Sequence, residues 1–267
     1  MIINVCSDLH LEFEPLELRN ASNADVLVLG GDILIAADFA YYNSKKHPEY
    51  ARRAKEYHTF LYTVSNEYDH VIMIAGNHEY YYSSIESGSH ALRTAVSQYP
   101  NISFLENETV IVDDVAFIGA TLWTDLNKNC PITEYTVKSM MSDYKLISYN
   151  NRQLLPTDTY NMFQESLAYI KSEVPKYSKK VVVTHHCPSP LSIHPDYIGV
   201  RYANGGFVSN LADYIDSVDI DVWTCGHVHH SHQYKIGDTT VKCNPRGYVR
   251  HGQMENKHWE SNAIIVV

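Results

Sequence analysis

Short apolar runs recur along the chain at residues 2–6, 26–29, 71–75, 115–119, 181–184, 220–225 and 263–267. They are rich in Val and Ile, are not broken by alternating polar residues and are too short for helices, so they predict strands covered on both faces. Between them, residues 47–67, 84–99, 158–174 and 207–217 carry the spacing of amphipathic helices. Strands alternating with helices predict an α/β chain with at least partly parallel sheets. Residues 101–115 read as two short strands around Asp113-Asp114, and 232–243 as a hairpin turning at Gly237-Asp238, which predicts a second, more antiparallel sheet. From 127 to 156 the pattern weakens into a polar stretch rich in Tyr and Asn, with a short helix around 137–144. That stretch is predicted to be a surface insertion capping the substrate. No repeat, low-complexity tract or linker divides the chain, so 1–267 is read as one domain.

Composition changes this picture in three places. With 45% hydrophobic residues the chain has enough apolar material for a packed core, which excludes disorder as a description of the whole. Asp and Glu outnumber Lys and Arg by 31 to 21, for a net charge of −10; that field repels long nucleic acid and favours a small substrate. No stretch approaches the roughly 18 apolar residues of a membrane helix, and the N-terminal run Met1 to Asp8 lacks a basic leader, so no membrane partner and a cytoplasmic location are expected. The five cysteines, Cys6, Cys130, Cys187, Cys225 and Cys243, are odd in number, widely spaced and free of C-x-x-C pairs, so neither a disulfide framework nor a zinc ribbon is indicated. Cys187 and Cys225, beside histidine clusters, read as small apolar packing residues. His230 and His232 read as part of a solvated loop. The 21 tyrosines read mainly as packing, with Trp123 and Tyr80 to Tyr82 as candidates for stacking on a base.

Fifteen histidines are an excess, and many of them sit where apolar runs stop. The runs end in Ser7-Asp8-Leu9-His10, in Gly30-Gly31-Asp32, in Gly76-Asn77-His78-Glu79, in Thr184-His185-His186 and in Gly226-His227-Val228-His229-His230. The carboxyl edge of an α/β sheet is where ligands bind, and carboxylate, imidazole and amide together suit first-row metal ions. Read as extended i, i+2 pairs, Asp8 with His10 and His227 with His229 would each share one face. His185 and His186 are adjacent and face opposite ways, so His185 is taken as the ligand and His186 as a supporting or phosphate-contacting group. Glu79 is given a supporting role. Arg201, Asn204 and Arg246 are candidates for substrate binding, with ordinary surface ion pairing as the other reading.

Taken in order, these blocks resemble the signature of the calcineurin-like metallophosphoesterase superfamily: D-x-H, G-D, G-N-H-[ED], H and G-H-x-H. The resemblance spans residues 8 to 229. It implies two packed mixed sheets flanked by helices, a four-layer α-β-β-α sandwich. It also implies two divalent or trivalent first-row ions: Mn, Fe, Zn, Ni or Co, with Mn or Fe favoured. Asp8, His10 and His229 would hold one ion, Asn77, His185 and His227 the other, and Asp32 would bridge them. Asp32 and His78 would be the catalytic pair, His78 contacting phosphoryl oxygens or protonating the leaving group, with Asn77, His78 and His186 also facing substrate. Blocks at 119–125, 141–144 and 244–248 resemble those of a bacterial-type branch of the same superfamily.

The reaction these residues lead us to expect is hydrolysis of a phosphodiester in a small nucleotide or cyclic nucleotide by a metal-bridging hydroxide. Two other readings stay open: a phosphomonoesterase or nucleotide pyrophosphatase using the same site, and a non-catalytic protein-interaction scaffold with a degenerate site.

Overall fold

The apolar runs form the strands of two large sheets in the computed structural model, which describes residues 1–267. The strands are β1 (Ile2–Cys6), β2 (Val26–Gly30), β3 (His70–Ile74), β4 (Ile102–Leu105), β5 (Glu108–Val112) and β6 (Val115–Ala120). They continue with β7 (Lys179–Thr184), β8 (Val222–Cys225), β9 (His232–Ile236), β10 (Thr239–Cys243) and β11 (Ile264–Val266). The first sheet runs β11-β1-β2-β3-β4, with β1 to β4 parallel and β11 antiparallel on the edge. The second runs β9-β10-β8-β7-β6-β5, parallel at its centre and antiparallel at both edges.

The period of two along each strand builds the layers. Ile3, Val5, Val26, Val28, Ile72 and Ile74 of one sheet meet Phe117, Val181, Val183 and Val222 of the other in a purely apolar layer. Each such fully buried side chain contributes about 1.5–3 kcal/mol. The alternate residues Leu27, Leu29, Val71 and Met73, with Ile118, Val182 and Trp223, turn outward into a larger cluster completed by helices. Helix α1 (Pro48–Glu67) starts with Pro at its first position and buries Tyr57, Phe60, Leu61 and Val64. Helix α2 (Ile85–Val96) is capped by Ser84, whose Oγ accepts the Ser87 amide at 3.0 Å. With α3 (Pro131–Met140) and α4 (Pro156–Glu173) the molecule is a single α/β domain, its two mixed sheets flanked by helices. No helix is long and apolar enough to cross a membrane.

Three local expectations need correction. Residues 101–115 are not one hairpin: β4 joins the first sheet parallel to β3, while β5 and β6 pair across Asp113-Asp114 in the second. The expected helix at 207–217 shrinks to Ala212–Asp216, because the backbone around Phe207 and Ser209 bonds instead to Cys187 (3.2 and 3.0 Å). The short helix near 137–144 is two: α3 ends where Met141 turns extended (φ −81°, ψ 139°), and a one-turn helix follows at Asp143–Leu146.

Candidate functional site

Strands β1, β2, β3, β7 and β8 deliver their carboxyl ends to one edge, and hydrogen bonds across the two sheets fix how these ends meet. The Asp8 amide donates to Gly31 O (2.9 Å), the His227 amide to Asp8 Oδ1 (2.9 Å), and His185 Nδ1 to Gly30 O (2.9 Å). The ligand segments are not extended, which corrects the i, i+2 strand reading. Asp8, His10, Asp32, His227 and His229 all take left-handed backbone, with φ of 50°, 48°, 54°, 69° and 45°. Such conformations cost a non-glycine residue about 1–3 kcal/mol each, and they hook the chain so that these side chains converge. Two glycines leave room for the carboxylates: a Cβ at Gly76 would lie 2.2 Å from Asp32 Oδ1, and one at Gly226 would lie 2.5 Å from Asp8 Oδ2.

The converging atoms form two nests that share Asp32. In one, His10 Nε2 lies 3.1 Å from His229 Nε2, His229 Nε2 lies 3.4 Å from Asp8 Oδ1, and His10 Nε2 lies 3.8 Å from Asp32 Oδ2. In the other, His185 Nε2 lies 3.1 Å from Asn77 Oδ1, 3.2 Å from His227 Nδ1 and 3.4 Å from Asp32 Oδ1. The fit to metal ions can be tested on the protons. His10 and His229 each direct Nδ1 at a carboxylate, Glu12 (3.0 Å) and Glu255 (2.6 Å), so their Nε2 lone pairs face each other and call for positive charge between them. Asn77 donates through Nδ2 to Asp143 Oδ1 (2.7 Å), which turns its carbonyl oxygen toward His185. His227 Nε2 is buried without a partner. The first nest is thus a set of acceptors, and in the second Asn77 Oδ1, Asp32 Oδ1 and, with its Nδ1 given to Gly30 O, His185 Nε2 turn acceptors to one point. This is the chemistry of a cation site, and each nest can hold a metal ion.

The surrounding charges are organised to match. Burial opposes ionisation of Asp32, yet His185, His78 and His10 hold its carboxyl well below the usual range. Burial also works against a charged His78, but Asp32 and Glu12 outweigh it and lift the ring to about 9. Glu12 accepts from both His10 and His78 (2.8 Å), and despite burial these two rings keep it down at about 2. Glu79 accepts backbone amides of Asp32, Ile33, Leu34 and Gly76 at 2.9, 2.7, 3.2 and 2.6 Å, tying the Asp32 loop to the Asn77 loop. His78 stacks on Tyr81 at 4.2 Å, and its Nε2 meets the Tyr248 hydroxyl at 3.3 Å.

A cavity of about 540 Å³ opens onto this edge. Asp32, Asn77, His78, His227, His229, Tyr248 and Asn204 are among its lining, and its far wall is apolar: Val137, Met140 and Met141 of the 127–156 segment with Ile193, Val200 and Phe207. Other sequence-predicted binding residues stand elsewhere. His186 is buried behind the site against Trp123 and His227, where burial and His185 push it down to about 3, so it is neutral and does not line the cavity. Arg246 is buried and donates to the carbonyls of Leu9 and Glu14 (3.1 and 2.9 Å). Arg201 is exposed and outside the lining. Among the stacking candidates only Tyr81 reaches the cavity; Trp123 and Tyr80 are buried and Tyr82 points to solvent. Sequence reasoning missed the orienting groups Glu12, Asp143 and Glu255. Only Glu12, two residues after His10, carried a local signal, although Asp143 and Tyr248 fall within blocks singled out by resemblance.

A family model described as calcineurin-like phosphoesterase matches residues 1–231. An uncharacterized protein of Acanthamoeba polyphaga mimivirus is 27% identical, over 92% of this chain and 91% of its own length. Among solved structures, a phosphopantetheinyl hydrolase from Mycobacterium tuberculosis is 15% identical with a TM-score of 0.66, over 92% of this chain and 89% of that one. A dimetal phosphatase from Danio rerio is 11% identical with a TM-score of 0.50, over 91% and 86%. At these identities the two structures show a shared fold.

Proposed function

The chain belongs to the calcineurin-like phosphoesterase family, metal-dependent hydrolases of phosphoesters, and from that premise we propose that it hydrolyses a small phosphodiester, nucleotides and cyclic nucleotides being the first candidates. The observation that carries this reading is the cavity itself. Its polar wall carries Asp32, Asn77, His227 and His229 of the two nests together with His78, its other wall is apolar, and neither Lys nor Arg lines it. A diester brings one negative charge and two organic substituents, which suits such a pocket better than a polyphosphate does.

Asp8, His10 and His229 would hold one ion, Asn77, His185 and His227 the second, and Asp32 both. Manganese or iron fits this borderline N/O set, and when bound the ions supply Lewis acidity and an activated water. His78 holds a proton at Nε2 beside Asp32 Oδ2 (3.9 Å), while Glu12 fixes its Nδ1, so the ring can protonate a departing oxygen. Asn204 on the cavity wall binds phosphoryl or substituent oxygens, while Asn77, whose Nδ2 is given to Asp143 and Tyr81, serves the ion through Oδ1. The 127–156 segment acts as a cap, its Val137, Met140 and Met141 covering the organic part of the substrate and excluding water. Five free cysteines agree with a reducing, cytoplasmic setting.

The test is a matched panel of phosphate mono- and diesters, cyclic nucleotides included. The protein is first stripped with chelator and then reloaded with Mn, Fe, Zn, Ni or Mg. Diester turnover that needs a metal and exceeds monoester turnover supports the reading, and His78→Ala should lower turnover about 100-fold while retaining its ions. A monoester preference would transfer the site to phosphomonoester substrates. Inactivity with every ion would favour a binding scaffold.

A further inference from the structure

The sequence reading of Cys187 and Cys225 as isolated packing residues does not survive folding. Cys187 follows β7, Cys225 ends β8, Cys243 ends β10 and His232 opens β9, and the sheet register brings them together: Cys225 pairs with Cys243, and Cys243 with His232. The three sulfurs and one ring nitrogen all lie within 4.8 Å of one another, and the thiols are 0%, 1% and 2% exposed. None of the three is in a disulfide.

We propose that Cys187, Cys225, His232 and Cys243 form a third metal site, a closed Cys3His site for zinc, separate from the nests that share Asp32. The imidazole is the decisive member. His232 Nδ1 donates to His230 O at 2.9 Å, which leaves the lone pair on Nε2, and Nε2 is buried without any hydrogen-bond partner. Apolar packing of three thiols leaves that lone pair unsatisfied, which is unfavourable for a buried acceptor. A backbone carbonyl on the far nitrogen is also how metal-bound histidines are commonly oriented. Zinc bonds of about 2.3 Å to sulfur and 2.0–2.1 Å to nitrogen set tetrahedral ligand separations of roughly 3.5–3.8 Å, so small shifts close the site. Three thiolates and an imidazole fill all four positions, so the ion has a structural role and releases the thiol protons on binding. Soft sulfur separates it from the carboxylate and imidazole nests, which take harder ions.

Its placement gives it a task. His185 lies two residues before Cys187, His227 two after Cys225, and His229 three before His232. The zinc would fasten, from behind, the strand ends that carry these histidines.

The test uses the full chain, reduced, chelator-stripped and titrated with Co²⁺ as a spectroscopic substitute for Zn²⁺. The expected result is an intense sulfur-to-cobalt charge-transfer band. It persists in Asp32→Asn and in Cys130→Ser, and it is lost in Cys243→Ser. After zinc loading, elemental analysis should find Cys243→Ser one ion per chain short of the parent. Cobalt uptake by the parent chain without that band overturns the site, and so does a Cys243→Ser chain that holds as much zinc as the parent. The first readout needs no substitution at the site, so a Cys243→Ser chain that fails to fold does not shield the proposal.

Discussion

Val28 and Asp32 stand four residues apart at the end of β2 and are almost equally hidden, at 0% and 2% exposure. Val28 is extended backbone in the apolar layer between the sheets, and its burial stabilises the fold outright. Asp32 sits at φ +54°, charged and facing three imidazoles, in a conformation that costs free energy and with a charge that burial opposes and only His185, His78 and His10 sustain. Burial alone therefore does not say which part of the molecule holds it together. The layer supplies stability, and the edge draws on that stability to keep strained, polar residues in place.

Substitutions can separate the two regions. Asp32→Asn should lower metal-dependent turnover of folded molecules on the order of a thousandfold, because it removes the carboxylate that both nests share. Unchanged turnover with a lower melting temperature would reverse the assignment. Phe117→Ala, in the layer, should cost about 3–5 kcal/mol in urea unfolding and leave the turnover of folded molecules nearly intact. Glu106 isolates the case of a half-buried carboxylate away from the nests. It accepts from the Thr121 amide and hydroxyl, and burial pushes it from the ordinary 4.5 up to about 7. A raised folded value means that its contribution is complete below pH 4.5 and is lost as pH rises through about 7. Glu106→Gln should remove about 3 kcal/mol of that pH dependence, measured by urea unfolding at pH 4 and pH 8. Glu12→Gln should have the smallest effect, about tenfold weaker ion affinity or turnover, because the amide keeps one contact but not the charge shared by His10 and His78.

How much the sequence revealed follows the same division. The strands of the apolar layer were legible because their Val and Ile runs need no knowledge of partners. The order of polar blocks at strand ends was legible too, since each block follows its own strand. The left-handed backbone at Asp8, His10 and His229 was not, because nothing in the alternation of D-x-H or H-x-H separates a hook from a strand. Glu255 reaches His229, and Asp143 reaches Asn77, across 26 and 66 residues, and the thiol cluster arises only from the register of β8, β9 and β10. Local pattern holds no record of such pairings. Resemblance supplied the family's ligands, but the groups that aim those ligands had to be seen in place.

The bond from the His227 amide to Asp8 and the meeting of His10 with His229 each join positions 219 residues apart. On a ribosome adding about 5–20 residues per second, Asp8 and His10 emerge roughly 10–40 seconds before their partners. Through that interval the Asp8 and Asp32 carboxylates lack His185 and His229, so the amino-terminal half has to keep this edge wet while its layer begins to pack. Ion capture is thereby placed among the last events of biogenesis, and a chain released before His229 would have strands but no complete centre.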